Sequence, residues 1–332
     1  MKPKFIIVVG TSAGGMNALI ELVSQLKDDM DTAVFIVMHL SGTGISDFLV
    51  HRLQPHTSFI CKLAIDEEPV QRGRIYIAMP RVHLLVKNDQ ILLGRGPEEN
   101  RWKPSIDVLF RSAAVAYNSR CIGIILTGLL DDGTAGMYAI MRSGGISIVQ
   151  DPNEAEYPDM PLSVLEHMDV SYCTTLENMG NIIADILQTS PEEKIIPQEI
   201  LVESQIAERV IVDYENVARI AEHSIYACPD CGGGLWEMTK AGNEKIIRYR
   251  CHIGHSYSEK DLALKQGEIF ESTLWVALRI MEERRNLLIK MEKDHLKKGL
   301  TVMAKPFRTK ADTIQGHVDK MKEVLFASQR LN

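Results

Sequence analysis

Three polar residues of this chain have the types that nucleophilic hydrolysis needs: Ser12, His39 and Asp132. A hydroxyl, an imidazole and a carboxylate split an acyl bond when the first attacks the carbonyl, the second takes its proton and the third orients the second. Their order along the chain is free, because they have to meet only in space. Ser12 lies in Gly10-Thr11-Ser12-Ala13-Gly14-Gly15, with the Gly-x-Ser-x-Gly spacing of a nucleophile elbow. Glycines on both sides allow a strand-to-helix turn tight enough to expose the hydroxyl. Amides opening the following helix would face a developing oxyanion or, equally, a bound phosphate. At this point a glycine-rich phosphate turn is as good a reading. Against a nucleotide, the spacing is not G-x-G-x-x-G and no Gly-Lys-Ser/Thr follows.

A second group suggests metal chemistry. Cys228-Pro229-Asp230-Cys231 is followed, after nineteen intervening residues, by Cys251-His252-Ile253-Gly254-His255. Paired turns at such a separation present four ligands tetrahedrally to zinc. The expected ligands are Cys228, Cys231, Cys251 and His255, with His252 as the alternate fourth; the bland alternative is a metal-free hairpin with incidental thiols. Four protein ligands leave no open position, so such a zinc would be structural. Cys61, Cys121 and Cys173 sit singly among apolar neighbours and read as small buried side chains in a reducing compartment.

The elements that must place these groups follow from hydrophobic patterning. Phe5-Ile6-Ile7-Val8-Val9, Ala33 to Met38 and Cys121 to Leu126 are uninterrupted apolar runs, the mark of strands buried on both faces. Helical spacing marks about Met16 to Leu26, Ile45 to Leu53 and Ile106 to Tyr117, and a further strand covers Ile146 to Val149. Short β runs at Arg74 to Ala78, Leu84 to Val86 and Gln90 to Leu93 include a hairpin turn at Asn88-Asp89. This alternation predicts an α/β fold, a doubly wound and mostly parallel sheet with helices on both sides. Reactive groups in such sheets gather at the carboxyl ends of strands, and Ser12, His39 and Asp132 each follow one. Taken singly, each has an ordinary explanation: a turn serine, a surface histidine, and an acid capping the helix that starts near Thr134.

With these blocks assembled, the chain resembles the catalytic domain of the protein-glutamate methylesterase of bacterial chemotaxis, over about residues 4 to 188. The carrying segments are Val9 to Gly15, the strand-end His39, Ile75-Tyr76-Ile77-Ala78, Arg101 to Phe110, Ile125 to Gly133, and Gln150-Asp151-Pro152 leading to Met160-Pro161. The resemblance implies a Ser12, His39, Asp132 triad and an oxyanion-binding N–H near Leu129. It also implies hydrolysis of glutamyl γ-methyl esters on chemoreceptor cytoplasmic domains, with related glutamine deamidation and no cofactor for the chemistry. Three departures qualify it. The chain starts at the catalytic strand, so cis control through a receiver domain is not expected. Ala13 stands where a threonine is common, as in the branch often fused to a methyltransferase, and Leu40-Ser41-Gly42-Thr43-Gly44 differs from the usual proline-containing loop.

Composition bounds the rest. A chain of 332 residues, 45% hydrophobic and 24% charged, holds about two domains of ordinary globular character. No apolar run approaches the ~18 residues of a membrane span, and no signal peptide opens the chain, so a cytoplasmic protein is expected. The net charge of −7 argues against nucleic acid, although residues 259–332 carry fifteen Lys and Arg against eleven Asp and Glu. The expected organisation is a catalytic domain at 1–188, a linker and helix at 189–222, a zinc-ribbon-like module at 223–258 and a helical hairpin at 259–332. Within the last, Leu274, Leu278, Met281, Leu288 and Met291 form an apolar stripe, and Gly299 and Pro306 separate it from a second helix at about Thr309 to Phe326. Expected partners are methylated receptors and a methyltransferase or other chemotaxis protein. The competing function is a non-catalytic scaffold of a sensory pathway.

Overall fold

The computed structural model describes residues 1–39, 45–209, 214–238 and 246–328. Two compact units divide the chain, Met1–Asp261 and Leu262–Asn332. The first begins with β1 (Phe5–Thr11), α1 (Gly15–Ser24), β2 (Thr32–Met38), α2 (Ile45–Leu53), β3 (Ile60–Leu63) and β4 (Arg74–Ile77). A hairpin of β5 (His83–Lys87) and β6 (Gln90–Gly94) precedes α3 (Ile106–Tyr117), β7 (Cys121–Ile125), α4 (Thr134–Arg142) and β8 (Ile146–Gln150). Then come α5 (Asp159–His167), β9 (Tyr172–Thr174) and α6 (Leu176–Leu187). The hairpin turn falls at Asn88 and Asp89, both with positive φ, 48° and 61°.

Seven strands make one sheet in the order β3-β4-β2-β1-β7-β8-β9, every pairing parallel. The chain leaves β1 toward one edge and returns through β7 toward the other, so β1 and β7 flank the point where the winding reverses. The crevice at the carboxyl ends there is where such sheets bind ligands. Burial on both faces explains the continuous apolar runs. Ile6 and Val8 of β1 enter the core layer built with Leu109 and Phe110 of α3, whereas Phe5, Ile7 and Val9 enter the layer built with Leu19 of α1 and Ile183 of α6.

Beyond residue 188 the first unit continues with α7 (Gln198–Arg209), α8 (Tyr214–Ile220) and four short strands, β10 (Glu222–Ala227), β11 (Gly234–Glu237), β12 (Arg248–Cys251) and β13 (Ser256–Ser258). These strands pair antiparallel in chain order, and Trp236 and Met238 share a small core with Val202, Ile206, Val217 and Ile220. The second unit holds most of α9 (Glu259–Lys297) and all of α10 (Thr301–Ser328), which pack through Leu274, Leu278, Ile314, Val318 and Leu325. Here the sequence expectation is corrected, since α10 starts at Thr301 and runs through Pro306. The one intrahelical bond that proline removes would have gone to the carbonyl of Val302, in the first turn of the helix, a residue 85% exposed. Among the described residues no helix is long and apolar enough to cross a membrane.

Candidate active site and metal-ligand cluster

Ser12 follows β1 immediately, and its N–H donates to the Thr127 carbonyl just past β7 at 3.1 Å. Gly14, at φ 73°, caps α1 in a left-handed conformation that turns the chain away from the sheet directly after the serine. On the other side Gly128 passes so close that a Cβ there would lie 2.9 Å from the Ser12 Cβ, and only glycine fits. Leu129, where the resemblance places an oxyanion donor, follows Gly128 and is half-exposed.

His39 continues the β1–β2 ladder. After the last register pair, Thr11 with Met38, the His39 N–H donates to the Thr11 carbonyl at 3.0 Å. Ser12 and His39 therefore occupy the next rung of two strands about 4.8 Å apart. The imidazole is buried, lies flat on the Trp102 indole with centroids 4.0 Å apart, and meets the Asp132 Oδ2 through Nε2 at 2.9 Å. Its Nδ1 is buried and, among the described residues, has no hydrogen-bond partner. A carboxylate on Nε2 holds the proton there, which leaves Nδ1 as the acceptor.

Asp132 is the most heavily bonded group of the site. Its Oδ1 accepts from Asn100 Nδ2 at 3.1 Å, Ser105 Oγ at 2.9 Å and the Asp107 N–H at 3.3 Å; its Oδ2 accepts from the Ile106 N–H at 2.7 Å as well as from His39. Burial alone would raise its pKa, but the hydrogen bond and charge of His39 and the bonds from Ile106 and Asn100 bring it below the ordinary carboxylate value. Asp132 thus caps α3. The helix it precedes, α4, is served instead by Asp107 of α3, whose Oδ1 accepts the Gly133 and Gly136 N–H groups at 3.0 and 2.6 Å. Each aspartate satisfies the start of the other's helix, which corrects the ordinary explanation for Asp132 given above. Burial and the adjacent Asp132 charge push Asp107 up to about 7.

His39 and Asp132 are thus hydrogen-bonded at the carboxyl edge of the sheet with Ser12 on the rung of His39, and residues 40–44 after His39 lie outside the described residues. Sequence reading did not single out Asn100, Trp102, Ser105, Asp107 or Gly128. A partial signal existed in Ser105-Ile106-Asp107, a good helix start with an acid in its first turn.

A family model for the CheB methylesterase matches residues 7–183. The chain belongs to the CheB methylesterase family. A protein of Leptospira interrogans is 34% identical over 189 residues, which are 57% of this chain and 97% of that one. The protein-glutamate methylesterase/protein-glutamine glutaminase 5 of Myxococcus xanthus is 34% identical over 53% of this chain and 51% of its own. The crystal structure of the Thermotoga maritima CheB methylesterase catalytic domain superposes with a TM-score of 0.53 and 28% identity, over 55% of this chain and 98% of that one.

The cysteine cluster lies beyond the methylesterase match. Cys228, Cys231, Cys251 and His255 place their ligand atoms within 4.8 Å of one another. Tetrahedral zinc with bonds of about 2.3 Å to sulfur and 2.05 Å to nitrogen requires S···S edges near ~3.8 Å and S···N edges near ~3.5 Å. The Cys231–Cys251 sulfurs are 3.7 Å apart, and His255 Nδ1 is 3.7 Å from Cys228 Sγ and 3.4 Å from Cys251 Sγ. The four residues fit such an ion, and His252, exposed, is outside the group. The Cys228 thiol is pulled strongly down, first by its hydrogen bond with Cys251 and then by His255 and Tyr257, toward the thiolate a metal needs.

Between this cluster and the methylesterase sheet lies a buried ionic network. Glu99 pairs with Arg111 of α3 and, through both carboxylate oxygens at 2.9 Å, with Arg250 of β12. Glu203 of α7 takes both Arg248 nitrogens at 2.6 and 2.8 Å. Burial would raise the Glu203 pKa, but Arg248 and Arg111 hold it at about 2 against an ordinary 4.5. A carboxylate with a depressed folded pKa adds stability that is present above its unfolded value and lost as pH falls toward the folded one. Glu203 alone should remove about 3 kcal/mol between roughly pH 4.5 and 2, read as a fall in melting temperature across a pH series. A flat melting profile over that window would contradict this.

Proposed function

We propose that this chain hydrolyses glutamyl γ-methyl esters on the cytoplasmic part of chemoreceptors, releasing methanol, and deamidates receptor glutamines at the same site. What carries the reading is the buried His39–Asp132 pair, with His39 on the rung next to Ser12's strand position and its Nδ1 unpartnered among the described residues. Family membership supports the reaction class, and the name of the Myxococcus relative, a protein-glutamate methylesterase/protein-glutamine glutaminase, supports the substrate.

In this reading the Ser12 hydroxyl attacks the ester carbonyl as His39 Nδ1 takes its proton, and the charge formed on the ring is stabilised by Asp132 through Nε2. The N–H of Leu129 and the amides that open α1 stabilise the tetrahedral oxygen. His39 returns the proton to the departing methoxide, giving methanol and an acyl-Ser12. Water, deprotonated by the same nitrogen, then cleaves the acyl bond to yield glutamate. With an amide the leaving group is ammonia. Trp102 covers one face of the imidazole and keeps it in the plane of the carboxylate. Methanol release from methylated receptor tests the reaction; none from the folded protein would remove the catalytic claim.

The Cys228, Cys231, Cys251 and His255 set would hold a structural zinc, with no position open for a substrate. Elemental analysis should find about one zinc per chain, lost in Cys228→Ser. Well-folded protein without zinc would refute it.

A further inference from the structure

The turn that carries Trp102 and Asn100 is held from two sides. Glu99 and Trp102 close it with reciprocal backbone bonds of 3.2 and 2.9 Å, and its central residues, Asn100 at φ 49° and Arg101 at φ 67°, are both left-handed without being glycine. Such a conformation costs energy and persists only where neighbours over-determine it. On the inner side Asn100 Nδ2 binds Asp107 and Asp132, and the Trp102 ring lies on His39. The outer side belongs to the cysteine-bearing sheet. The Ser256 carbonyl accepts the Asn100 N–H at 2.8 Å, and Arg250 grips both oxygens of Glu99.

Arg250 directly precedes Cys251 and Ser256 directly follows His255. The Arg250 Nη1 also donates to the Gly254 carbonyl at 3.2 Å, and the Cys251 N–H donates to the His255 carbonyl at 2.9 Å. Two candidate ligands and the two residues that grip the turn thus share one tight hairpin.

We propose that the β12–β13 hairpin is a positioning element of the hydrolase site: with a metal on Cys251 and His255, Arg250 and Ser256 fix the Glu99–Trp102 turn that seats Trp102 on His39 and Asn100 on Asp132. The proposal rests on reading Ser12, His39 and Asp132 as a hydrolase. Arg250 is a positioning residue and touches no reacting atom. Loosening it shifts the imidazole and carboxylate relative to the hydroxyl, and misplacements of about 1 Å cost up to ~100-fold in rate.

Arg250→Met keeps the apolar stem of the side chain and leaves the Glu99 carboxylate paired with Arg111. In the full chain this variant should retain about one zinc and lose ~10- to 100-fold in kcat with KM within about twofold, and Arg250→Lys should recover part of the loss. A zinc-loaded Arg250→Met with kcat within about twofold of wild type would overturn the proposal. If Arg250→Met does not fold, wild-type protein decides. Zinc affinity is measured by competition with 4-(2-pyridylazo)resorcinol before and after a fluorophosphonate esterifies Ser12, because coupling of binding free energies between two sites is reciprocal. An affinity raised about threefold or more supports the linkage, and equal affinities overturn it. Wild type without any turnover instead removes the hydrolase reading, and the proposal falls with it.

Discussion

Ser12→Ala should lower methanol release by about 10⁶-fold, to the level left by substrate binding and oxyanion contacts alone. The substitution deletes one oxygen from a residue that is only 8% exposed and keeps the Cβ packed against Gly128. Nothing in the backbone of the elbow depends on that oxygen, since the Ser12 N–H and carbonyl make the bonds to Thr127 and Gly15. The variant should therefore match wild-type stability to within about 1 kcal/mol, because no cavity larger than one oxygen is left. Methanol assays with matched thermal scans check both halves. Turnover within tenfold of wild type would mean that the hydroxyl does not form the acyl intermediate.

Asp132→Asn should damage both chemistry and stability. For turnover the expected loss is about 10⁴-fold, because the amide no longer holds the proton on Nε2 and cannot stabilise the imidazolium. For stability the count of donors decides. Oδ1 accepts three hydrogen bonds and Oδ2 accepts two, so an NH₂ group at either position faces donors and breaks at least two bonds. Each donor left unsatisfied costs roughly 1–3 kcal/mol, giving about 3 kcal/mol in all. Part is returned through Asp107, whose raised pKa falls once the neighbouring charge is gone. A variant that lost rate but kept its melting temperature would show that the cap on α3 is dispensable. The contrast with Ser12→Ala separates the group that reacts from the group that also builds the site.

Much of the architecture was readable because it is set over short stretches. The continuous apolar run of β1 has to be covered on two faces, and the helix over about Ile106 to Tyr117 was legible from its apolar period. The elbow too is local, since glycine alone tolerates the turn at Gly14. Pro306 misled for a matching reason: local preference marks it as a break, yet its cost at an exposed helix start is small enough for the rest of α10 to override.

What remained hidden depends on which segments the fold brings side by side. Ser12, His39 and Asp132 were visible as residue types at strand ends, and the four metal-ligand candidates as a spacing, because those patterns are written in the chain. That Asp132 serves α3 while Asp107 serves α4, and that Arg250 reaches Glu99 across 151 positions, depends on the parallel sheet order and on the contact of the β12–β13 hairpin with the Glu99–Trp102 turn. A buried charge cannot stay unpaired, but sequence does not say which opposite charge will be within reach. Only the closed fold, by excluding water and leaving each carboxylate a single set of donors, makes that choice.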